Sequence, residues 1–188
     1  MIWMFSELSI KGLKVPCVFV KTQRRRMRLE FRGSKLYVIA PNGADVERFI
    51  ENNKEWIYRN YLRQKFYEEE AKKLNLYTRS EKELSQTLAR FIAKASKELG
   101  VTPLKVKIKR MKSRWGSCNA KSRSVNFNAF LKYLPDELIE YVVYHELLHL
   151  KVPSHNERFN TILNAKYNQK IVRSKLRIYW FAIQSFEE

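Results

Sequence analysis

The sequence predicts an α+β protein. Short β-prone runs cluster before residue 45 and again after Pro103. Apolar residues fall at helical spacing from Asp45 to Leu99, and Pro135 opens a second helical series. With 188 residues the chain has room for one domain, or one domain with a small lobe. The expected division is an amino-terminal β lobe over 1–44, a helical linker region over 45–100 and a third region over 101–188 that carries the chemistry.

Val15–Val20, Arg28–Phe31 and Lys35–Ala40 read as strands, with Gly33-Ser34 as the turn between the last two, so the lobe is expected to be a small antiparallel sheet. Arg24-Arg25-Arg26 reads as a solvated strand edge. Pro41-Asn42-Gly43 breaks the pattern, and Asp45 is the expected N-cap of a helix carrying Phe49, Ile50, Trp56, Ile57 and Tyr61 toward Leu74. Ser80 and Glu83 have capping-box spacing. Behind them Leu84, Leu88, Phe91, Ala95 and Leu99 form a stripe, read as a core face, and Gly100 is a stop.

Leu104–Ile108 alternates apolar and basic residues, as a strand does, and a basic loop over Lys109–Cys118 follows. Ser124–Asn128 is a further strand, with Val125 and Phe127 on one face and Asn126 and Asn128 on the other. Pro135 suits the first turn of a helix and Asp136 its positive end. That helix carries Leu138, Ile139, Val142, Val143, Leu147 and Leu148, and Pro153 is expected to end it. Two more helices follow, one with Phe159, Ile162 and Leu163, the other with Val172, Leu176 and Ile183.

Hydrophobic residues at 45% and aromatics at 13% exclude a wholly disordered chain, and only 5 glycines exclude a collagen-like one. The formal charge of +18 favours contact with polyanions, so nucleic acid or nucleotides are expected partners of the basic surface. The plainer consequence of that charge is a cationic, soluble surface. Cys17 and Cys118 are too far apart for a metal-type pair or a disulfide framework, which points to a reducing cytoplasm. Met1–Leu13 contains Glu7 and lacks the basic and apolar regions of a signal peptide. No uncharged apolar stretch approaches a membrane span, so no integral membrane segment is expected.

His145-Glu146-Leu147-Leu148-His149 is an H-E-x-x-H motif. On a helix its two histidines share one face, and their ring nitrogens can converge on one ion. Glu146 is rotated away from that face and suits a general base that takes a proton from water. The chain has three histidines, and the third, His155, lies just past Pro153. A break at Pro153 lets the chain fold back and offer His155 as third ligand, leaving the open position that a catalytic zinc needs. The spacing matches H-E-x-x-H-x-x-G-x-x-H, but Val152 replaces the glycine, so the turn must differ and that class is not assigned.

The run Arg110–Cys118 containing Ser113-Arg114-Trp115-Gly116-Ser117-Cys118 resembles the YgjP-like metallopeptidase family. So do Val125-Asn126-Phe127-Asn128, Leu134-Pro135, Tyr141–Leu150, His155 and Phe159. The early Arg-rich strands, Ala40-Pro41 and the Trp56-Ile57 helix are similar to its amino-terminal region. That family is akin to the WLM and SprT-like zincin-fold peptidases. The resemblance implies a zincin-like catalytic half, one zinc ion on His145, His149 and His155, Glu146 as base, and a peptide or protein substrate. Through those relatives it also suggests work near DNA or DNA-bound proteins.

Arg114 and Trp115 precede an expected turn at Gly116. Arg114 either holds a carbonyl or phosphate oxygen of the substrate or pairs with a carboxylate while Trp115 fills the core. Asn126 and Asn128 are candidate cleft residues, and an edge strand there could take an extended peptide. Tyr144 and Tyr167 are weighed as oxyanion donors, with buried packing the better fit. Ser117 and Cys118 lack a spare histidine to activate them.

Two rival functions remain open. One is hydrolysis of a nucleotide phosphoanhydride at the same metal, supported by Lys107, Lys109, Arg110, Lys112 and Arg114 leading toward the site. The other is a nucleic-acid-associated binding protein with a structural metal, although closed structural zinc sites usually have four protein ligands.

Overall fold

The strand β1 (Ile2–Ile10) opens the fold as the first arm of a hairpin with β2 (Leu13–Lys21). Lys11 and Gly12 both have positive φ, the conformation that a two-residue turn between twisted strands requires. The computed structural model describes residues 2–187, and for residues 2–5 and 185–187 the backbone alone. The chain divides into two units, Met1–Lys73 and Leu74–Glu188. The expected linker region is therefore shared between them: its first helices pack on the first sheet, and its last helix belongs to the second core.

In the first unit β3 (Arg28–Arg32) and β4 (Lys35–Ala40) complete a sheet of order β1-β2-β4-β3. Two of its pairings are antiparallel as expected, but β2 and β4 run parallel, so the sheet is mixed. Periodicity reports which residues are strands, not which distant strand each meets. Asp45 caps α1 (Val46–Asn52) by accepting the Arg48 N–H at 3.0 Å. The expected continuous helix is interrupted at Asn53, and α2 (Lys54–Lys72) follows. Ile50, Ile57 and Tyr61 from these helices pack on Val15, Cys17, Phe19, Leu36 and Val38 of the sheet.

The second unit starts from α3 (Glu81–Leu99). Its capping box is formed: the Glu83 N–H donates to Ser80 Oγ at 3.2 Å, and the Ser80 N–H donates to Glu83 Oε2 at 2.7 Å. All five stripe residues are buried, and Gly100 ends the helix with φ +66. Ser80→Ala should lower stability by about 1 kcal/mol, the usual worth of an N-cap side chain, read as a shift in the urea midpoint.

β5 (Lys105–Lys109), β6 (Gly116–Asn119) and β7 (Ser124–Asn128) form a sheet of order β5-β7-β6, parallel on one side of β7 and antiparallel on the other. β6 overlaps the end of the segment read as a basic loop, and Gly116 begins a strand rather than a turn. Its Gly-Ser-Cys-Asn sequence has little β propensity, and its strand conformation comes from pairing with β7.

α4 (Asp136–Leu148) begins where Pro135 and Asp136 place it. Asp136 is held by Arg79 and Arg90, each with a guanidinium nitrogen 2.5 Å from a carboxylate oxygen. The helix is apolar nearly all round, as a helix at the centre of a core must be, and Leu138, Ile139, Val142, Val143, Leu147 and Leu148 are buried. It ends at Leu148, before Pro153, and residues 150–152 turn back with N–H groups bonded to Leu147 and Leu148 carbonyls. α5 (Glu157–Lys166) and α6 (Gln169–Glu187) close the unit.

Candidate metal centre

His145 lies in the last turn of α4 and His149 caps its C-terminus, one turn further on. The returning chain brings His155 across, just before α5. The Asn156 side chain caps α5 by accepting the Phe159 N–H at 3.0 Å, which fixes the loop that carries His155. His155 Nε2 lies 3.1 Å from His149 Nε2 and 3.1 Å from His145 Nε2. Among the described residues this trio is the cluster able to hold a metal ion.

The donor set fits an ion. Tetrahedral zinc with Zn–N bonds of about 2.0–2.1 Å separates its nitrogen ligands by about 3.3 Å. The observed separations of 3.1 Å are close to that spacing, so three neutral imidazoles can each turn an Nε2 lone pair toward one cation. The Val152 carbonyl lies 3.3 Å from His149 Nδ1, so this nitrogen carries the proton and Nε2 is free to act as a ligand. Val152 is buried and is not among the residues with positive φ, as its departure from the glycine-containing pattern requires. His145 Nδ1 is buried without a hydrogen-bond partner.

Burial, and then the neighbouring His149 and His155, lower His145 to about 3. Burial and His155 also lower His149. Both imidazoles are thus kept neutral, the form that binds metal. Phe159, wholly buried, forms the floor: its ring stacks on His149 at 4.6 Å and meets His155 at 4.7 Å and His145 at 5.1 Å.

Glu146 is rotated toward β6 and is buried beside the trio. Burial pushes its carboxyl up to about 7, against the opposing pull of the Arg114 charge. A carboxyl with such a pKa can take and return a proton near neutrality. No described residue donates a hydrogen bond to it.

The other candidates fall in different places. Arg114 is exposed, makes no ion pair with a described carboxylate, and lies near enough for its charge to act on Glu146. Trp115 packs into the core, edge-on to Trp180 at 4.9 Å. Asn126 is paired in register with Ser117 and Lys107 and donates to Ser117 Oγ at 3.2 Å. Its neighbours Val125 and Phe127 face the core with α4, so Asn126 lies on the opposite face of the sheet from the histidines.

Asn128 is wholly buried. Its Oδ1 accepts from the N–H groups of Met111 and Phe130, and its Nδ2 donates to the carbonyls of Met111 and Arg114, at 2.8–3.3 Å. All four positions of the carboxamide are used, so Asn128 supports the loop beneath Arg114 and has none left for a ligand. Sequence reasoning missed this role because a polar residue in a strand carries no mark of burial. Tyr144 and Tyr167 pack edge-on at 5.5 Å, consistent with the packing role weighed for them. Cys118, half-buried, has its thiol raised to about 11 by burial and by Glu146, which removes thiolate chemistry.

The model of the YgjP-like metallopeptidase domain matches residues 59–177. Two solved metallopeptidase zymogens are similar in part. Abylysin of Pyrococcus abyssi is 22% identical, with 48% of this chain and 87% of that one covered, at a TM-score of 0.41. Jannalysin of Methanocaldococcus jannaschii is 21% identical, with 56% of this chain and 92% of that one covered, at a TM-score of 0.43. No curated protein matches the chain. Among the described residues no helix is long and apolar enough to cross a membrane.

Proposed function

The chain belongs to the YgjP-like metallopeptidase family, and on that premise we propose that it hydrolyses peptide bonds with one zinc ion and Glu146 as general base. The observation that carries this reading is the convergence of three Nε2 atoms beside a buried carboxylate that has no hydrogen-bond donor among the described residues. His145, His149 and His155 would hold the ion and leave a ligand position open. A zinc ion held there would supply a water that ionises near neutrality, at about pH 7, and would polarise a carbonyl. Glu146 takes the proton of the attacking water and returns it to the leaving amine. Arg114 places positive charge beside Glu146, where it can hold a substrate oxygen.

A peptide substrate also has somewhere to lie. β6 is an edge of its sheet, and its start adjoins Glu146, so an extended peptide can pair along it through main-chain hydrogen bonds. A phosphoanhydride needs several cations around one anion. Lys105, Lys107 and Lys109 share the sheet face of Asn126, away from the histidines, which disfavours that substrate.

The purified protein should contain about one zinc per chain, and His149→Ala should lose tight binding, as elemental analysis reads. Peptide libraries and nucleoside triphosphates are assayed side by side, with chelated enzyme as control. Peptide cleavage that stops on chelation and returns with zinc is expected. Full zinc retention after replacing all three histidines would overturn the site. Metal-dependent phosphate release without peptide cleavage would overturn the substrate.

A further inference from the structure

We infer that Gly116 is a positioning residue: the space left by its missing side chain is the seat of the Glu146 carboxylate. The catalytic consequence rests on the hydrolase reading above, whereas the contact rests on geometry alone. Gly12, Gly33, Gly43 and Gly100 all have φ between +55 and +80, and a Cβ added at any of them meets nothing within 4 Å. These four serve the backbone. Gly116 is the converse, with no left-handed φ and no room. A Cβ there would stand 2.6 Å from Glu146 Cγ and 2.8 Å from both Cδ and Oε1. Reaching an ordinary contact of 3.4 Å from 2.6 Å takes a displacement of about 0.8 Å.

The strand is not free to make that displacement. The Trp115 carbonyl accepts the Asn128 N–H at 2.8 Å, and the Arg114 carbonyl accepts from Asn128 Nδ2 at 2.8 Å. Gly116 itself is paired with Phe127, which is wholly buried. Trp115 is held edge-on against Trp180. The Glu146 side chain, by contrast, turns about three torsions and receives no hydrogen bond from a described residue. It is therefore the carboxylate that moves when residue 116 gains a side chain. Packing against bare backbone is what aims it.

The test couples two residues through stability and through rate. Gly116→Ala should lower the Tm by several degrees in the wild-type background. In the Glu146→Ala background, where the space is vacated, it should leave the Tm unchanged or raise it, since alanine restricts the unfolded chain more than glycine does. In the zinc-loaded enzyme Gly116→Ala should keep the metal and hold KM within about twofold. It should lower kcat by about 10²-fold, the scale of a 1 Å misplacement of a catalytic group. Added to Glu146→Gln, it should lower the rate no further. Equal Tm losses in both backgrounds would overturn the inference, as would an unchanged kcat or an equal fold-loss on Glu146→Gln. A wild type that binds zinc but cleaves no peptide would overturn the hydrolase reading, while coupled Tm values would still support the seat.

Discussion

Glu146→Gln should keep its zinc and its fold and lose turnover by about 10²–10⁴-fold, the usual worth of a general base. The amide fills the same space against Gly116, so packing is retained, but it cannot take a proton. The variant also has a thermodynamic signature that needs no substrate. Burial pushes the Glu146 carboxyl up to about 7 from an ordinary 4.5. In the metal-free folded protein the group therefore keeps a proton that the unfolded chain has released over that pH range. Stability contributed by the protonated form is lost as pH rises from about 4.5 through about 7. The amide does not titrate. Metal-free Glu146→Gln should thus gain on metal-free wild type as pH rises and hold its advantage above about pH 7, read as urea midpoints at pH 5 and pH 8. Wild-type turnover in this variant, or parallel pH–stability curves, would remove Glu146 from the base position.

Phe159→Ala should destabilise the protein by about 3–5 kcal/mol, the range for a buried phenylalanine cut back to a methyl. Phe159 is fully buried, and its ring touches all three imidazoles, so the change removes core volume and the floor of the candidate metal site together. Zinc affinity should fall with stability, because the rings are then free to leave their converging rotamers. Phe159→Leu, which keeps most of the volume, should lie well inside that loss on both measures. Urea unfolding with and without zinc checks the first effect, and competition with a chromogenic chelator checks the second. A loss under about 1 kcal/mol would show that the site does not depend on this ring.

The parts of the fold legible in the sequence are those with local causes. The α3 stripe, its capping box and Gly100 read directly, because helix periodicity and caps involve residues a few positions apart. The histidine pair reads for the same reason, and His155 because the chain has no other histidine to consider. What stayed hidden depends on distant partners. The parallel pairing of β2 with β4 leaves no trace in either strand. β6 is a strand only because β7 lies beside it, and Asn128 is a buried hub only because the loop over 111–114 folds onto it. Gly116 did leave a signal: an isolated glycine in a strand often marks close approach of another group. It was masked because its flanking Arg-Trp and Ser-Cys residues read as a loop.

His155 differs from its two companions in what carries it. His145 and His149 belong to a helix set in the core, whereas His155 is exposed and comes from the returning loop. A ligand on a helix and a ligand on a loop would set different rate constants. An ion held by the trio would dock first on the helical pair, and the loop that carries His155 would set how long it stays. Exchange with solution chelators should then proceed by stepwise opening at His155, with a release rate that follows the loop's own opening equilibrium. A substitution that loosens the Asn156 cap of α5 would accordingly speed metal release more than it slows metal capture.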